Sequence, residues 1–292
     1  MESLKNLLPV LTAKMHKGSC GRIGVIGGSF EYTGAPYFSA ITSLKLGADL
    51  AHVFCHDHAA TAIKSYSPSL IVHPGWNPND EFFTSLKRID SIVMGPGLGR
   101  SEEAGKLSEA VFRYVAECDK PAVYDGDAIY WACTMGNNFP KAKSAVFTPN
   151  KVEFERLCDT FLDKEDCSNV KDQPLDTVKK LSIKLGVSIL MKGEKDYYRT
   201  VDDHSGEIDE KAGLRRCGGQ GDILAGALGT TLHWAKLVNV SIAEACVASS
   251  FLVRYLSNKA FEKIGRSVEA PDMISEIPDT LRNIERVYFR HD

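Results

Sequence analysis

Three glycines fall within the four residues Gly218-Gly219-Gln220-Gly221, and the acid Asp222 and an apolar helical pattern from Ile223 follow at once. Backbone N–H groups with no Cβ in the way, at the positive end of a helix dipole, form a pocket for an anion such as a phosphate. A carboxylate at Asp222 would lie against whatever the pocket holds, and could take the proton from a hydroxyl attacking phosphorus. The same residues also fit a plainer reading, a tight turn with Asp222 as the helix cap.

Other residues carry compatible chemistry. Asn150 and Glu153 form N-x-x-E at the end of a predicted strand. Their oxygens, one helical turn apart, suit a hard cation beside a triphosphate, although Asn is also a good helix cap. Lys192 and Lys195, in the stretch MKGEKD, end another predicted strand and either meet nucleotide charge or are simply solvated. Asp125 and Asp127 flank Gly126 and read equally well as caps of the next helix or as pocket lining. Cys55-His56-Asp57-His58 places two histidines two residues apart with no second ligand cluster in the sequence, and reads as a polar loop. Trp76, Trp131 and Trp234 read as core or pocket wall. No G-x-x-x-x-G-K-[ST] loop occurs, and Gly21, Gly24, Gly27 and Gly28 do not have the G-x-G-x-x-G spacing, so Rossmann-type hydride transfer has little support.

These residues sit where predicted strands end. Strands are expected at 22–27, 50–54, 69–73, 89–95, 121–126, 144–149 and 187–193. Helical patterns are expected at 35–46, 102–116, 175–185, 222–236, 241–261 and 271–287. Strands apolar on both faces, alternating with helices, predict an open, mostly parallel α/β sheet covered on both sides, in which ligands lie beyond the carboxyl ends of the strands. Ser241 and Glu244 predict a capping box, which makes Asn239-Val240-Ser241 a helix start rather than a glycosylation site. No repeat or linker divides the chain, so a single domain over 1–292 is expected. The polar segment 202–216 reads as a lid or as a solvated hairpin tip.

At 292 residues, 43% hydrophobic and 25% charged, the chain can bury a full core. Its formal net charge of -3, with no basic patch, argues against nucleic acid or an anionic membrane as partner. Eight cysteines at irregular spacing, without C-x-x-C, read as reduced thiols. The apolar run 7–11 is too short for a signal or a membrane span. A cytoplasmic location is expected, with a mitochondrial pool left open.

In order along the chain, GRIGVIGGSFEYTGAPYFSA, KSYSPSLIVHP, MGPGLGR, TPNKVEFERL, MKGEKD and RRCGGQGDILAG resemble the ribokinase-like superfamily. Within it they are most similar to the ATP-dependent NAD(P)H-hydrate dehydratases, relatives of the C-terminal half of bacterial bifunctional repair enzymes. The resemblance implies a ribokinase-like fold and ATP-driven return of the S form of NADH or NADPH hydrate to the intact cofactor, with Mg²⁺ carried on the ATP phosphates. It implies Asp222 as base, Gly218 to Gly221 as anion pocket, and Asn150 with Glu153 as organisers of Mg²⁺ and phosphate. ATP would be met by Lys192, Gly193, Glu194, Lys195 and Asp196, and by the stretch from Ala212 through Arg216, Cys217, Gly218, Gly219 and Gln220 to Gly221. The hydrated dinucleotide would be met by Gly97, Asn150, Lys151, Val152, Glu153, Phe154, Glu155, Arg156 and Asp222. The ADP-using bacterial relatives carry His near position 150 and G-S-G-D in the loop, so Asn150 and G-Q-G-D favour ATP. Those bifunctional relatives also carry an epimerase domain with no counterpart here, which implies a separate epimerase as functional partner. A vitamin-precursor kinase and a nucleotide sensor without turnover are the alternatives, and the oligomeric state is left open.

Overall fold

Seven of the strands run parallel, and all of them except the half-exposed one at the sheet edge are largely buried, because helices cover both faces. The computed structural model describes residues 2–163 and 173–288. The strands are β1 (Arg22–Ile26), β2 (Leu50–Cys55), β3 (Ile71–Pro74), β4 (Ser91–Met94), β5 (Ala122–Tyr124), β6 (Ala145–Phe147), β7 (Ser188–Met191), β8 (Asp196–Arg199) and β9 (Ser205–Ile208). The helices are α1 (Glu2–Leu7), α2 (Gly34–Leu46), α3 (Asp57–Tyr66), α4 (Asp80–Lys87), α5 (Glu102–Cys118), α6 (Asp127–Met135), α7 (Lys151–Phe161), α8 (Pro174–Leu185), α9 (Gln220–Val238), α10 (Ile242–Ile264), α11 (Ala270–Ser275) and α12 (Ile277–Tyr288).

The sheet runs β3-β2-β1-β4-β5-β6-β7-β8-β9, parallel as far as β7 and antiparallel from β7 through β9. Its strands alternate strictly between two cores, as the pleat requires. Val93, Val123, Val146 and Leu190 face a core shared with α1, α2, α9 and α10. Their neighbours Met94, Tyr124, Phe147 and Met191 face a core shared with α4 to α8. The order in which successive strands are added reverses between β1 and β4, the point where doubly wound sheets leave a crevice. There the two glycine loops touch backbone to backbone: a Cβ on Gly27 would lie 2.1 Å from the carbonyl oxygen of Pro96, and the Gly28 N–H donates to that oxygen at 3.1 Å.

Several expectations change. Segment 202–216 is partly sheet: β9 pairs with β8 as a hairpin, and only the stretch beyond it is loop. Ser241 does cap α10, but its hydroxyl accepts from the N–H of Ala243 rather than that of Glu244, so no box forms, and it donates to Asp202 at 2.8 Å. The single helix expected over 271–287 is two, α11 and α12, separated at Glu276. Cys55 to His58 is not a loop: Cys55 ends β2 and His56 caps α3. Among the described residues no cluster of three metal-ligating side chains occurs, and no helix is long and apolar enough to cross a membrane.

Candidate active site

The residues at the carboxyl ends of β5, β6 and β7 meet the first turn of α9. Gly219 is the helix cap, with φ +91°, and a Cβ there would lie 2.7 Å from Ala270 and 2.9 Å from Phe38. Only glycine adopts that backbone in that space without strain. Asp222 is therefore not the cap; it lies in the first helical turn, and its backbone carbonyl is held by the Ser39 hydroxyl at 2.8 Å. Gly226 and Gly229 let the same helix sit close, since a Cβ at either would meet Ser39 at 2.1 Å or Val93 at 2.5 Å.

Four ionisable groups converge at this end of the sheet. Lys192, one residue past β7, donates to Asp125, one residue past β5, at 2.6 Å. The Thr148 hydroxyl donates to the same Asp125 oxygen at 2.8 Å, so this buried carboxylate is fixed from two neighbouring strands. Burial pushes the Lys192 ammonium down, but Asp125, Glu153 and Asp222 around it outweigh that and hold it above its ordinary value. Burial pushes the Asp222 carboxyl up to about 7; Asp125 and Glu153 add to the rise, and Lys192 opposes it. Burial likewise raises Glu153, with Lys192 opposing. Asp222 accepts no hydrogen bond from the described residues, which leaves a half-buried carboxylate poised near neutrality beside a cation. Such a group is suited to proton transfer. Gly221 faces the pair directly, since a Cβ on it would lie 3.2 Å from Lys192 Nζ.

Asn150 and Glu153 do form a reciprocal capping box at the start of α7, with the Glu153 N–H on Asn150 Oδ1 at 3.0 Å and the Asn150 N–H on Glu153 Oε2 at 2.8 Å. One oxygen of Glu153 stays outside the box and faces the cluster. The rest of that stretch divides by helical geometry. Phe154 is fully buried in the core, Lys151, Val152 and Glu155 are exposed, and Arg156 lies 5.7 Å over the Tyr130 ring. Arg100 covers the same ring at 4.3 Å.

The MKGEKD stretch divides too. Lys192 enters the cluster, whereas Lys195 turns away to Glu207 at 3.0 Å and Asp209 at 2.9 Å on the hairpin side. Asp196 is buried and held by Arg254, whose Nε and Nη2 donate to its two oxygens at 3.0 and 2.7 Å, and by the Ser250 hydroxyl at 2.7 Å. Arg254 also donates to the carbonyls of Gly193, Glu194 and Glu210, so Asp196 shapes the wall through the backbone. That wall, with Arg216, Gln220, Gly221 and Leu224, encloses a cavity of about 150 Å³. Gly218 opens onto free space, the Gln220 side chain donates to the Arg215 carbonyl at 3.0 Å, and Cys217 is partly exposed.

On the other side of the cluster lies a larger cleft of about 610 Å³ over the β1/β4 crevice, lined by Phe30, Tyr32, His56, Trp76, Gly99 and Glu103 among others. Gly97, with φ +60°, packs its backbone on Tyr32 there. Asp127 accepts from the Gly99 N–H at 2.8 Å and from Arg100 Nε at 3.1 Å, and so holds the GPGLGR loop in place. The two undecided acids thus have separate roles: Asp125 belongs to the charge cluster and Asp127 to the loop. Sequence reasoning missed Thr148, Arg254 and Glu103; Trp76 does line a pocket wall, one of its two expected places, and His56, expected in a polar loop, stands beside it. Asp125 was visible as an acid at a strand end, but its partner is 67 residues away.

Residues 23–279 match the NAD(P)H-hydrate dehydratase family. The chain is 46% identical to the Caenorhabditis elegans ATP-dependent (S)-NAD(P)H-hydrate dehydratase, over 98% of this chain and 95% of that one. It is 40% identical to the human protein of the same name, over 95% of this chain and 82% of that one. Among solved structures, it superposes with TM-score 0.80 and 19% identity on the ADP/ATP-dependent NAD(P)H-hydrate dehydratase of Bacillus subtilis co-crystallized with ATP and Mg²⁺, covering 97% of each chain. It also superposes on a hydroxyethylthiazole kinase from Pyrococcus horikoshii with TM-score 0.66 and 13% identity, covering 98% and 95% of the two chains. That likeness shows a shared ribokinase-like architecture.

Proposed function

The chain belongs to the NAD(P)H-hydrate dehydratase family, and from that premise we propose that it is a lyase using ATP to return the S form of NADH or NADPH hydrate to the intact cofactor. The observation that carries this reading is the half-buried Asp222 carboxylate beside the Lys192–Asp125 pair, between one cavity and one cleft. ATP occupies the side walled by Gly193, Arg216 and Gln220, with its phosphates on Lys192 and the N–H groups from Gly218 to Gly221. The dinucleotide occupies the side of Gly97, Asn150, Glu153 and Arg156.

Asp222 accepts the proton of the ring C6 hydroxyl as its oxygen attacks the γ-phosphorus, and the bond to ADP breaks. The Gly218 to Gly221 backbone and Lys192 meet the charge on the transferring group. The phosphorylated C6 oxygen then leaves as phosphate, driven by the ring-nitrogen electron pair. Loss of a C5 proton restores the ring double bond. The balance is ATP plus hydrate to ADP, phosphate, NADH and a proton. The described residues hold no ready-made metal cluster, but a Mg²⁺ ion brought in on the ATP phosphates would need only one or two protein carboxylates; Glu153 and Asp125, with Asn150 beside them, would hold it, and it would supply charge neutralisation there. Asp222 acts only on the S epimer presented to it, so a separate epimerase would supply that form from the R epimer. Free thiols at Cys20, Cys55, Cys118, Cys133, Cys217 and Cys246 fit work in the reducing cytosol.

The test is incubation with ATP, Mg²⁺ and the S form of hydrated NADH, following the near-ultraviolet absorbance of restored NADH together with free phosphate. Both appear in equal amounts if the reading holds. Phosphate retained on an organic product, without recovered NADH, would assign the chain a kinase activity instead.

A further inference from the structure

The cleft over the β1/β4 crevice is larger than the proposed chemistry at Asp222 requires, and its wall is made of rings. Phe30 meets His58 edge-on with centroids 6.0 Å apart, His58 stacks on His56 at 5.0 Å, and His56 meets Trp76 edge-on at 5.2 Å. Phe30 and Tyr32 are 76% and 55% exposed, so core packing does not account for their apolar surface. Trp76 is 93% buried, and its indole N–H has no partner among the described residues. The cleft continues past His56, Trp76 and Glu103 into a second space of about 430 Å³, giving room for more than a nicotinamide ring. A π-face wall with a polar handle at its inner end is the chemistry that holds a purine base.

The charges decide which purine nucleotide fits. Arg100 is neutralised by Asp127, and Lys106 is held by Glu102 at 2.7 Å. Glu103 projects from the first turn of α5 toward His56, Oε2 to Nε2 3.6 Å, and its side chain is 72% exposed. Glu31 and Asp57 also border the two spaces, so carboxylates outnumber the cations free to meet a phosphate. A carboxylate in that position accepts hydrogen bonds from a ribose 2′-hydroxyl and repels a 2′-phosphate carrying close to two negative charges.

We propose that this cleft takes the adenosine half of the hydrated dinucleotide, with Glu103, oriented by His56, accepting the ribose 2′-hydroxyl, so that NADH hydrate is preferred to NADPH hydrate. The proposal rests on the dehydratase reading for its substrate, but binding tests it separately from turnover.

NADH and NADPH, the proposed products, serve as probes in fluorescence titrations of the full chain, alongside kcat/KM for the two S hydrates. The unmodified chain binds NADH about tenfold more tightly than NADPH, and the kcat/KM ratio follows. Glu103→Gln narrows that ratio and Glu103→Arg inverts it, mainly through Kd and KM, while kcat holds. Phe30→Ala weakens both dinucleotides alike. Because Glu103 lies on the helix surface, circular dichroism of its variants stays that of the parent chain. Equal affinity for NADH and NADPH in the unmodified chain, or a Glu103→Arg variant that changes both equally, overturns the proposal. A binding preference that persists without turnover of either hydrate upholds the cleft and rejects the dehydratase reading.

Discussion

Two spaces flank the same charge cluster, and they are built in opposite ways. The smaller, beside β7, α9 and α10, is wired from behind: Arg254 ties the Asp196 carboxylate to three backbone carbonyls, so the backbone of its wall is held in place. The larger, over the β1/β4 crevice, has exposed rings and glycine loops that touch through their backbones. A triphosphate has few conformations that satisfy in-line transfer, and a wired backbone presents fixed donors to it. A dinucleotide is long and partly apolar, and a ring-lined cleft holds it by surface. Precision is concentrated where phosphorus reacts, and area where the substrate is recognised.

The largest effect expected from breaking this division is at Asp222. Asp222→Asn lowers kcat by about 10²–10⁴-fold while ATP still binds, measured by phosphate release and by calorimetry with ATP and Mg²⁺. Undiminished turnover would remove Asp222 from the mechanism. Arg254→Ala leaves Asp196 buried without its cation and costs about 3–5 kcal/mol of stability in a denaturant titration. It also raises KM for ATP far more than KM for the dinucleotide. Equal effects on both would erase the contrast between the two walls.

The third expectation concerns pH. Asp222 must be ionised to act as base and is held up to about 7, so kcat/KM rises through pH 7. Lys192→Met removes the one cation opposing that rise and moves the limb to higher pH; a limb that stays in place means that Lys192 does not act on Asp222. Next, Gly218→Ala places its Cβ in open space and leaves the melting temperature unchanged while weakening ATP. A large loss of stability there would mean that the glycine serves the fold instead.

The smallest expected effect is a gain. A carboxyl raised on folding contributes stability that is fully present below its unfolded value, near 3.8, and is lost as pH rises through about 7. At pH 8 the native chain therefore carries an unfavourable buried charge, and Asp222→Asn adds about 1 kcal/mol, a rise of about 2–4 °C in Tm. At pH 5, where the carboxyl is largely protonated, the gain is smaller.

The inner parallel strands β1 and β4 to β7 were legible because each is an apolar run between turn residues, and burial on both faces leaves no polar alternation to confuse it; the edge strand β3, half-exposed, was legible from its β-branched pair Ile71-Val72. Of the β8–β9 hairpin only a tip was anticipated, as one of two readings of 202–216; its strands were not, since Asp196–Arg199 and Ser205–Ile208 form a half-exposed antiparallel margin where polar residues are tolerated. In the site, Gly218 to Asp222 and Lys192 stood out by residue type and strand-end position. Lys195, Asp196 and Phe154 stood out equally by sequence, yet their side chains serve the hairpin, the Arg254 network and the core.

The sequence by itself determined the doubly wound sheet, the glycine loop with its acid, and the ordered motifs that mark the family, because these depend on local propensity, periodicity and spacing. Only the tertiary structure decided which charges act together. Asp125 meets Lys192 across 67 residues, Arg254 meets Asp196 across 58, and Asp222 is raised by burial and then by Asp125 and Glu153, which come from other elements. Coulombic and desolvation effects depend on distance in space and on burial, and neither is set until the strand ends are brought side by side.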